Sequence, residues 1–480
     1  MNGECLFDFA YCLGLLFFKY TASPVAAYPI IACQTIGYFM QCDAQTREEW
    51  SHLESLFSFA RPDAQNLITC FHGEMKRGLA GQASSLKMIP CFVSLPTGLE
   101  EGSFLALDLG GTNLRVLAVE LDGRRGATIS AVDRFVIPTS VMHGRGEELF
   151  DFLADGVFLF LEKHRYNLQQ HHDLVFTFSF PVEQSALTSG ILLNWTKGFT
   201  ASGVEGKDVV ALLAEALVRK NIKNISVTAL ANDTIGTLMT KSYADASCDM
   251  GVILGTGTNA CYPENTRRIA KYSGSDDDRE IIVNLEWGNF DRIEMNIYDR
   301  ALDCATRNIG RQRLEKMVSG MYMGELARLV ILDMIDRGCL LKEKDRHIFN
   351  RGYAVTTEHL SRAAGGEDIF AQFGLVNATD YDREAAVRIS HIVSKRAARI
   401  AGTAIASVIT WMDAGLERSH TVAVDGSLFE KYPGFSTNML NILQELFGDN
   451  AEKIALSTAV DGSGIGAAII AAVASGRRRQ

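Results

Sequence analysis

The residues of this chain best suited to chemistry stand where apolar runs end in polar or glycine-rich turns. In Leu230-Ala231-Asn232-Asp233-Thr234 an apolar run meets a helical pattern, with an amide and a carboxylate at the junction. A carboxylate at a strand end, facing a cleft, can act as general base toward an attacking hydroxyl. The same residue types also make good helix N-caps, so the junction has two readings. In Leu107-Asp108-Leu109-Gly110-Gly111-Thr112-Asn113-Leu114-Arg115-Val116 a glycine turn separates two apolar runs. Gly110 and Gly111 admit backbone conformations and approaches that a Cβ forbids. Backbone N–H groups in such a turn can face an anion, and Thr112, Asn113 and Arg115 add side-chain donors. Asp108 could hold Mg2+ directly or through a water of its shell. A plain hairpin also uses Gly-Gly, so this turn alone reads either way.

Two further turns share the design. Gly255-Thr256-Gly257-Thr258-Asn259 follows the apolar run 251–254, and Val424-Asp425-Gly426-Ser427 ends the run from Thr421. Two such turns on two domains could hold the phosphates of one nucleotide from both sides. The P-loop pattern G-x-x-x-x-G-K-[ST] is absent, and no G-x-G-x-x-G of dinucleotide-binding type stands out. Groups suited to a polyol are Ser179, Thr196, Lys197, Asn259, Glu286 and Glu315. A sugar needs several paired donors and acceptors around a small cavity, although each residue separately also reads as a surface or capping group.

These residues need a scaffold. Helical periodicity covers 43–79, and strands are expected at 103–109, 114–121 and 127–138. A helix at 147–165, a strand at 174–180, a helix at 206–220 and a strand at 225–230 follow. A second cycle opens near Asp249, with strands at 251–254 and 281–285 and a short one at Tyr262. Helices at 313–337 and 385–413, strand 421–424, helix 434–447, strand 453–456 and helix 464–474 close it. The pattern is mixed α/β in two related domains with a cleft between them. Asp461-Gly462-Ser463-Gly464, before the last helix, would bring backbone close to a ligand or to the facing domain.

The chain has 480 residues, 47% hydrophobic and 22% charged, with a net charge of -10. That length exceeds one hydrophobic core, and the acidic balance argues against nucleic acid or an anionic membrane as main partner. Ten cysteines show no C-x-x-C pair and no zinc spacing, which suits free thiols in a reducing compartment. Cys261, beside a glycine turn, reads as an inert thiol or a reactive one. Residues 1–42 form an apolar extension: an organelle-membrane anchor, or a stretch left untranslated if synthesis begins at Met40. Asp8, Lys19, Pro24 and Pro29 interrupt it, so no run reaches the roughly 20 residues of a spanning helix.

Taken in order, the motifs resemble those of eukaryotic-type hexokinases. They are 107–116, Phe178-Ser179-Phe180-Pro181, 195–199, Asn232-Asp233-Thr234, 255–261, Glu286-Trp287-Gly288, 315–320 and 424–427, and the likeness runs from about Trp50 to Ala474. The resemblance implies two ribonuclease-H-like domains of the actin-like ATPase superfold, with the N-terminal region at 43–245 and the C-terminal region at 246–476. It implies ATP-dependent transfer to the 6-hydroxyl of D-glucose and other hexoses, giving hexose 6-phosphate and ADP, the first step of glycolysis. Asp233 would be the base. Ser179, Thr196, Lys197, Asn232, Asp233, Asn259, Glu286 and Glu315 match hexose-binding positions. Asp108, Gly110, Gly111, Thr112, Asn113 and Arg115 match the first phosphate loop, with Asp108 near Mg2+. Gly255, Thr256, Gly257 and Thr258 match the second, and Gly426 and Ser427 the adenosine side. Lys197 or Arg115 would supply positive charge at the transferring phosphoryl group. The expected setting is a cytoplasmic monomer, or one attached to an organelle outer membrane.

Two departures matter: Asp291 to Tyr298 lacks the family's Leu-Pro-Thr approach, and the other concerns Ile309. Asn308-Ile309-Gly310 stands where the family usually has Asn-Pro-Gly, in the loop between Glu286 and Glu315, and losing proline there implies a looser loop and weaker sugar affinity. A hexokinase-like glucose sensor with little turnover is the rival reading. An actin or chaperone relative leaves the sugar-site motifs unexplained.

Overall fold

An uninterrupted apolar run needs cover on both faces, whereas an alternating one needs cover on one. Strand β2 (Glu101–Leu109) is of the first kind, buried at every residue from Phe104 on. Strand β4 (Ala127–Val136) alternates and lies at a sheet edge. The computed structural model describes residues 44–111, 113–167, 169–196, 198–272, 278–459 and 461–478. Residues 51–480 form one compact unit. The expectations for residues 1–42, and those for Thr112 and Lys197, lie outside the described residues. Among the described residues no helix is long and apolar enough to cross a membrane.

In chain order the elements are α1 (Ala44–Leu56), α2 (Arg61–Leu79), β1 (Ile89–Pro90), β2, β3 (Asn113–Asp122), β4, α3 (Thr139–Met142), α4 (Gly146–Lys163), β5 (His172–Phe178), β6 (Val182–Ala186), β7 (Ser189–Leu192), α5 (Val209–Arg219), β8 (Ile225–Ala231) and α6 (Asp233–Ala244). Next come β9 (Cys248–Leu254), β10 (Thr258–Asn265), β11 (Glu280–Asn284), α7 (Ile297–Ala305), α8 (Arg313–Val318), α9 (Gly320–Asp336), α10 (Thr357–Ala364), α11 (Ile369–Gln372) and α12 (Asp380–Met412). The chain closes with β12 (His420–Asp425), α13 (Ser427–Lys431), α14 (Phe435–Phe447), β13 (Ile454–Thr458) and α15 (Gly462–Arg478).

Two sheets repeat one plan. In the first, ordered β4-β3-β2-β5-β8, an antiparallel meander of three strands is extended by two parallel ones. The second, β1-β11-β10-β9-β12-β13, builds the same meander from β9, β10 and β11 and adds β12 and β13 in parallel. The glycine turns that follow Leu109 and Leu254 therefore occupy equivalent places, each between the first and second strand of its meander. Helices α4 and α5 cover one face of the first sheet through Phe150, Phe160, Leu213 and Leu217. Its other face shares a core with α6, α15 and strands of the second sheet, including Leu238, Tyr243, Ile469, Cys261 and Ile282.

Helices α6 and α15 cross with no room for side chains. A Cβ on Gly236 would lie 2.4 Å from the Gly462 carbonyl oxygen, and one on Gly466 would lie 2.1 Å from that of Gly236.

Three stretches differ from the sequence reading. The helix expected over 43–79 is two helices: Pro62 stands in the first turn of α2, and the Asp63 carboxylate accepts the Ala60 N–H at 2.7 Å, which starts the helix afresh. The helix expected over 313–337 breaks at Ser319, which is extended at ψ 157, because the next N–H, that of Gly320, leaves the helical ladder for the Gly255 carbonyl at 2.8 Å. The hairpin of β6 and β7 lies in a polar stretch without apolar alternation and was not expected.

Candidate active site

The Asn232-Asp233 junction resolves into two jobs. Asn232 is the cap, its Oδ1 accepting the Ile235 N–H at 2.9 Å. Asp233 opens α6, half-buried, with Oδ1 accepting the Thr234 N–H at 2.9 Å. Its charge is felt on two sides. Burial pushes the Glu286 carboxyl up, and Asp233 adds to that, against hydrogen bonds from Asn284 and Asn259 and the charge of Lys87. Asp425, at the end of β12, is pushed up to about 6 by burial, with Glu430, Asp233 and Asp461 contributing and Arg115 opposing.

The second turn is the most tightly built. The Gly255 N–H donates to the Gly257 carbonyl at 3.1 Å, and Gly320 and Met321 donate to the carbonyls of Gly255 and Thr256 at 2.8 and 3.1 Å. The Thr258 N–H donates to Glu315 Oε2 at 3.0 Å, while Trp287 Nε1 donates to Thr258 Oγ1 at 2.9 Å. Asn259 Nδ2 donates to Asn284 Oδ1 at 2.8 Å and to Glu286 Oε1 at 3.1 Å. Asn259, Glu286 and Glu315 are thus brought together around this turn. A Cβ on Gly257 would stand 2.8 Å from Glu315 Oε2, so only glycine lets the carboxylate approach. Gly426 faces Gly255 from β12, and Ser427 beside it is exposed. Glu286 itself has a left-handed backbone, φ 55, a conformation that a non-glycine residue holds only when its surroundings impose it.

In the first turn the Gly110 N–H donates to the Asn113 carbonyl at 3.0 Å, with Gly110 and Gly111 half-buried and Asn113 exposed. Asp108 and Arg115 are direct cross-strand partners, and the guanidinium donates through Nε and Nη2 to Asp108 Oδ2 at 2.9 and 2.8 Å. Nη2 also meets Asp461 Oδ1 at 2.9 Å. Burial works against the Arg115 charge, but Asp108 and Asp461 outweigh it and hold its pKa above the ordinary arginine value. Arg115 therefore stands beside the turn in the grip of two carboxylates. The contribution of Asp461 and Ser463 was missed by the sequence reading; its signal was the Asp461-Gly462-Ser463-Gly464 turn.

Ser179 follows β5 and is half-buried, as is Thr196. Thr196 sits beside Trp195, whose indole donates to the Ala201 carbonyl at 2.8 Å and stacks on Phe199 at 5.3 Å. No cluster of three or more His, Cys, Asp or Glu side chains that could cage a metal occurs among the described residues. Mg2+ rarely needs one, since it keeps waters and is held by one or two carboxylates plus phosphates. A buried Asp108, whose Oδ2 already accepts from Arg115 and Ser463, leaves Oδ1 to face an ion that arrives with nucleotide.

The loop around Ile309 is pinned on both sides. Asp303 accepts the Gly310 N–H at 3.1 and 3.0 Å and pairs with Lys316 at 2.6 Å, and Lys316 donates to the Asn308 carbonyl at 2.9 Å. Ile309 itself is 62% exposed. Ile309→Pro is therefore expected to raise unfolding stability by about 0.4–1 kcal/mol through the unfolded chain. Urea denaturation checks this, and a loss of stability would mean that the local backbone rejects proline.

Cys261 lies buried, and burial pushes its thiol well up; Cys91 and Cys248 are likewise pushed up to about 12. Cys304 is exposed. Among the described cysteines, a thiol reagent on the native protein should label Cys304 first and leave Cys261 unmodified, as read by peptide mass spectrometry. Equal labelling would restore the reactive reading.

Two meanders of the same plan, each with a glycine turn between its first two strands, define an actin-like ATPase fold with two ribonuclease-H-like domains and the site in the cleft between them. Two hexokinase family models match, over residues 49–243 and 249–473. Human hexokinase-3 is 41% identical over 416 residues, which is 83% of this chain but 44% of that protein. Rice (Oryza sativa) hexokinase-4, named as chloroplastic, is 41% identical over 426 residues, 84% of this chain and 83% of that one. The structure of Schistosoma mansoni hexokinase complexed with glucose aligns with a TM-score of 0.80 at 34% identity, covering 90% of this chain and 99% of that one. The chain belongs to the hexokinase family. It spans less than half the length of human hexokinase-3 and most of the rice and Schistosoma proteins.

Proposed function

We propose that this chain transfers the γ-phosphoryl group of ATP to the 6-hydroxyl of D-glucose and other hexoses, with Asp233 as general base. The observation that supports the reading is the place of Asp233 at the start of α6, where the next residue's carbonyl accepts from Cys261 Sγ at 3.3 Å on the strand that also carries Asn259. A hydroxyl beside it would lose its proton to the Asp233 carboxylate as its oxygen bonds to the γ-phosphorus. The bond from that phosphorus to the bridging oxygen breaks, and ADP leaves. Phosphoryl transfer asks a protein mainly for positioning and charge stabilisation, and in this reading the two glycine turns that end β2 and β9 cradle the phosphates. Arg115, and Lys197 by resemblance, add positive charge. Mg2+, facing Asp108 through water, would offset phosphate charge when bound.

Asn259, Glu286 and Glu315, together with Ser179, Thr196 and Asn232, hold the sugar in this reading. If sugar contacts complete the site, water alone does not assemble it, and ATP hydrolysis without sugar stays far below phosphorylation with it. A coupled assay with ATP, Mg2+ and glucose, run with and without sugar, tests this. Comparable rates in the two arms contradict the closure account. Glucose binding without product formation would instead favour a glucose sensor, the reading kept in view by the substitution at Ile309.

A further inference from the structure

The turn before α15 has an unusual construction. Asp461 holds a left-handed backbone, φ 53, which Asp and Asn tolerate better than most residues but glycine adopts at least cost, yet glycine is not used there. What an aspartate adds at that position is a carboxylate 2.9 Å from Arg115 Nη2, an ion pair without hydrogen-bond geometry, because the two Nη2 hydrogens go to Asp108 and Ser463. Two residues on, Ser463 accepts from the same Nη2 at 2.5 Å and donates to Asp108 Oδ2 at 2.9 Å. The residue between them, Gly462, lies so close to α6 that a Cβ would stand 2.8 Å from Thr237 Cα. Thr237 in turn donates its hydroxyl to the Asp233 carbonyl at 2.9 Å. A continuous set of contacts therefore runs from Asp233 through Thr237 and the 461–463 turn to Arg115 and Asp108.

We propose that Asp461, assisted by Ser463, is a positioning residue that fixes Arg115 beside the first phosphate turn and holds that turn in register with the helix carrying Asp233. In this reading Asp461 acts through its charge, drawing the guanidinium that Asp108 and Ser463 orient by hydrogen bonds. This inference rests on the phosphotransfer reading above, and it separates from a plain stabilising ion pair through one substitution. Asp461→Gly relieves the backbone and removes the carboxylate together. A stabilising role predicts a lower melting temperature, whereas a positioning role predicts an unchanged or higher one with impaired use of nucleotide.

The experiment compares wild type, Asp461→Gly, Asp461→Asn and Ser463→Ala by thermal melting, steady-state kinetics and calorimetric ATP binding. In Asp461→Gly we expect kcat/KM for ATP to fall about tenfold or more, since small misplacements of charged groups are costly in rate. ATP binding should weaken at least about threefold, and KM for glucose should stay within about twofold. Asp461→Asn, whose side chain tolerates the left-handed region, should lose activity to a similar extent without melting earlier. A kcat/KM for ATP within about twofold of wild type, or a loss of activity that merely follows a fall in melting temperature, overturns the proposal. If wild type makes no hexose phosphate, the activity reading fails by itself; ATP binding weakened in Asp461→Gly then still upholds the positioning role, and unchanged binding rejects it.

Discussion

Asp233→Ala is expected to lower the rate of hexose phosphorylation by roughly 10²- to 10⁴-fold, the usual contribution of a positioned general base. Sugar affinity should change far less, because the polyol contacts assigned to Asn259, Glu286 and Glu315 survive. The cap of α6 survives as well, since Asn232 Oδ1 and not Asp233 accepts the Ile235 N–H at 2.9 Å. The substitution therefore tests chemistry with little disturbance of fold. Removing a carboxylate that also raises Glu286 and Asp425 should let both ionise more readily, which favours binding of polyol and cation if anything. A fall in kcat with nearly constant KM for glucose is the signature, read in a coupled assay with parallel calorimetry. Turnover within a few-fold of wild type would remove Asp233 from the mechanism.

The second large effect is expected at Gly426. Its φ of 132 lies where only glycine is at ease, and a Cβ there would stand 2.2 Å from the Leu254 carbonyl oxygen and 2.8 Å from the Gly255 nitrogen. Both obstacles are backbone, so no side chain can swing aside. Gly426→Ala must displace either the end of β9 or the start of α13, and the turn at 255–257 moves with β9. We expect KM for ATP to rise by about tenfold or more and melting to begin earlier, with glucose affinity less affected. A variant that binds ATP within about twofold of wild type would show that this turn has slack.

Strands β2, β3, β9 and β12 were legible because each is an apolar run ended by glycine or a polar cluster, and the phosphate turns were legible from those endings. The convergence of Asn259, Glu286 and Glu315 was reachable only through resemblance, since it depends on how β10, the segment after β11 and α8 meet. The break at Ser319 was hidden for a related reason: 313–337 has helical periodicity throughout, and a tertiary bond from Gly320 to Gly255 overrides it. The state of Arg115 was illegible as well. A sequence suggests a free cation beside a phosphate turn, whereas Asp108 binds it across the strand pair and Asp461 and Ser463, from near the other end of the chain, close on it.

The placement of α15 also sets a timetable for synthesis. Ile469, Ile470 and Ala471 share a core with Ala106, Val175 and Ala229, so one face of the first sheet is covered by the last helix. About 350 residues separate Leu109 from Gly462. At roughly 5–20 residues per second the ribosome needs on the order of 20–70 seconds to supply the missing cover. Until then this sheet face has only α6 and the emerging strands of the second sheet against it, so the first sheet reaches its full packing late in synthesis.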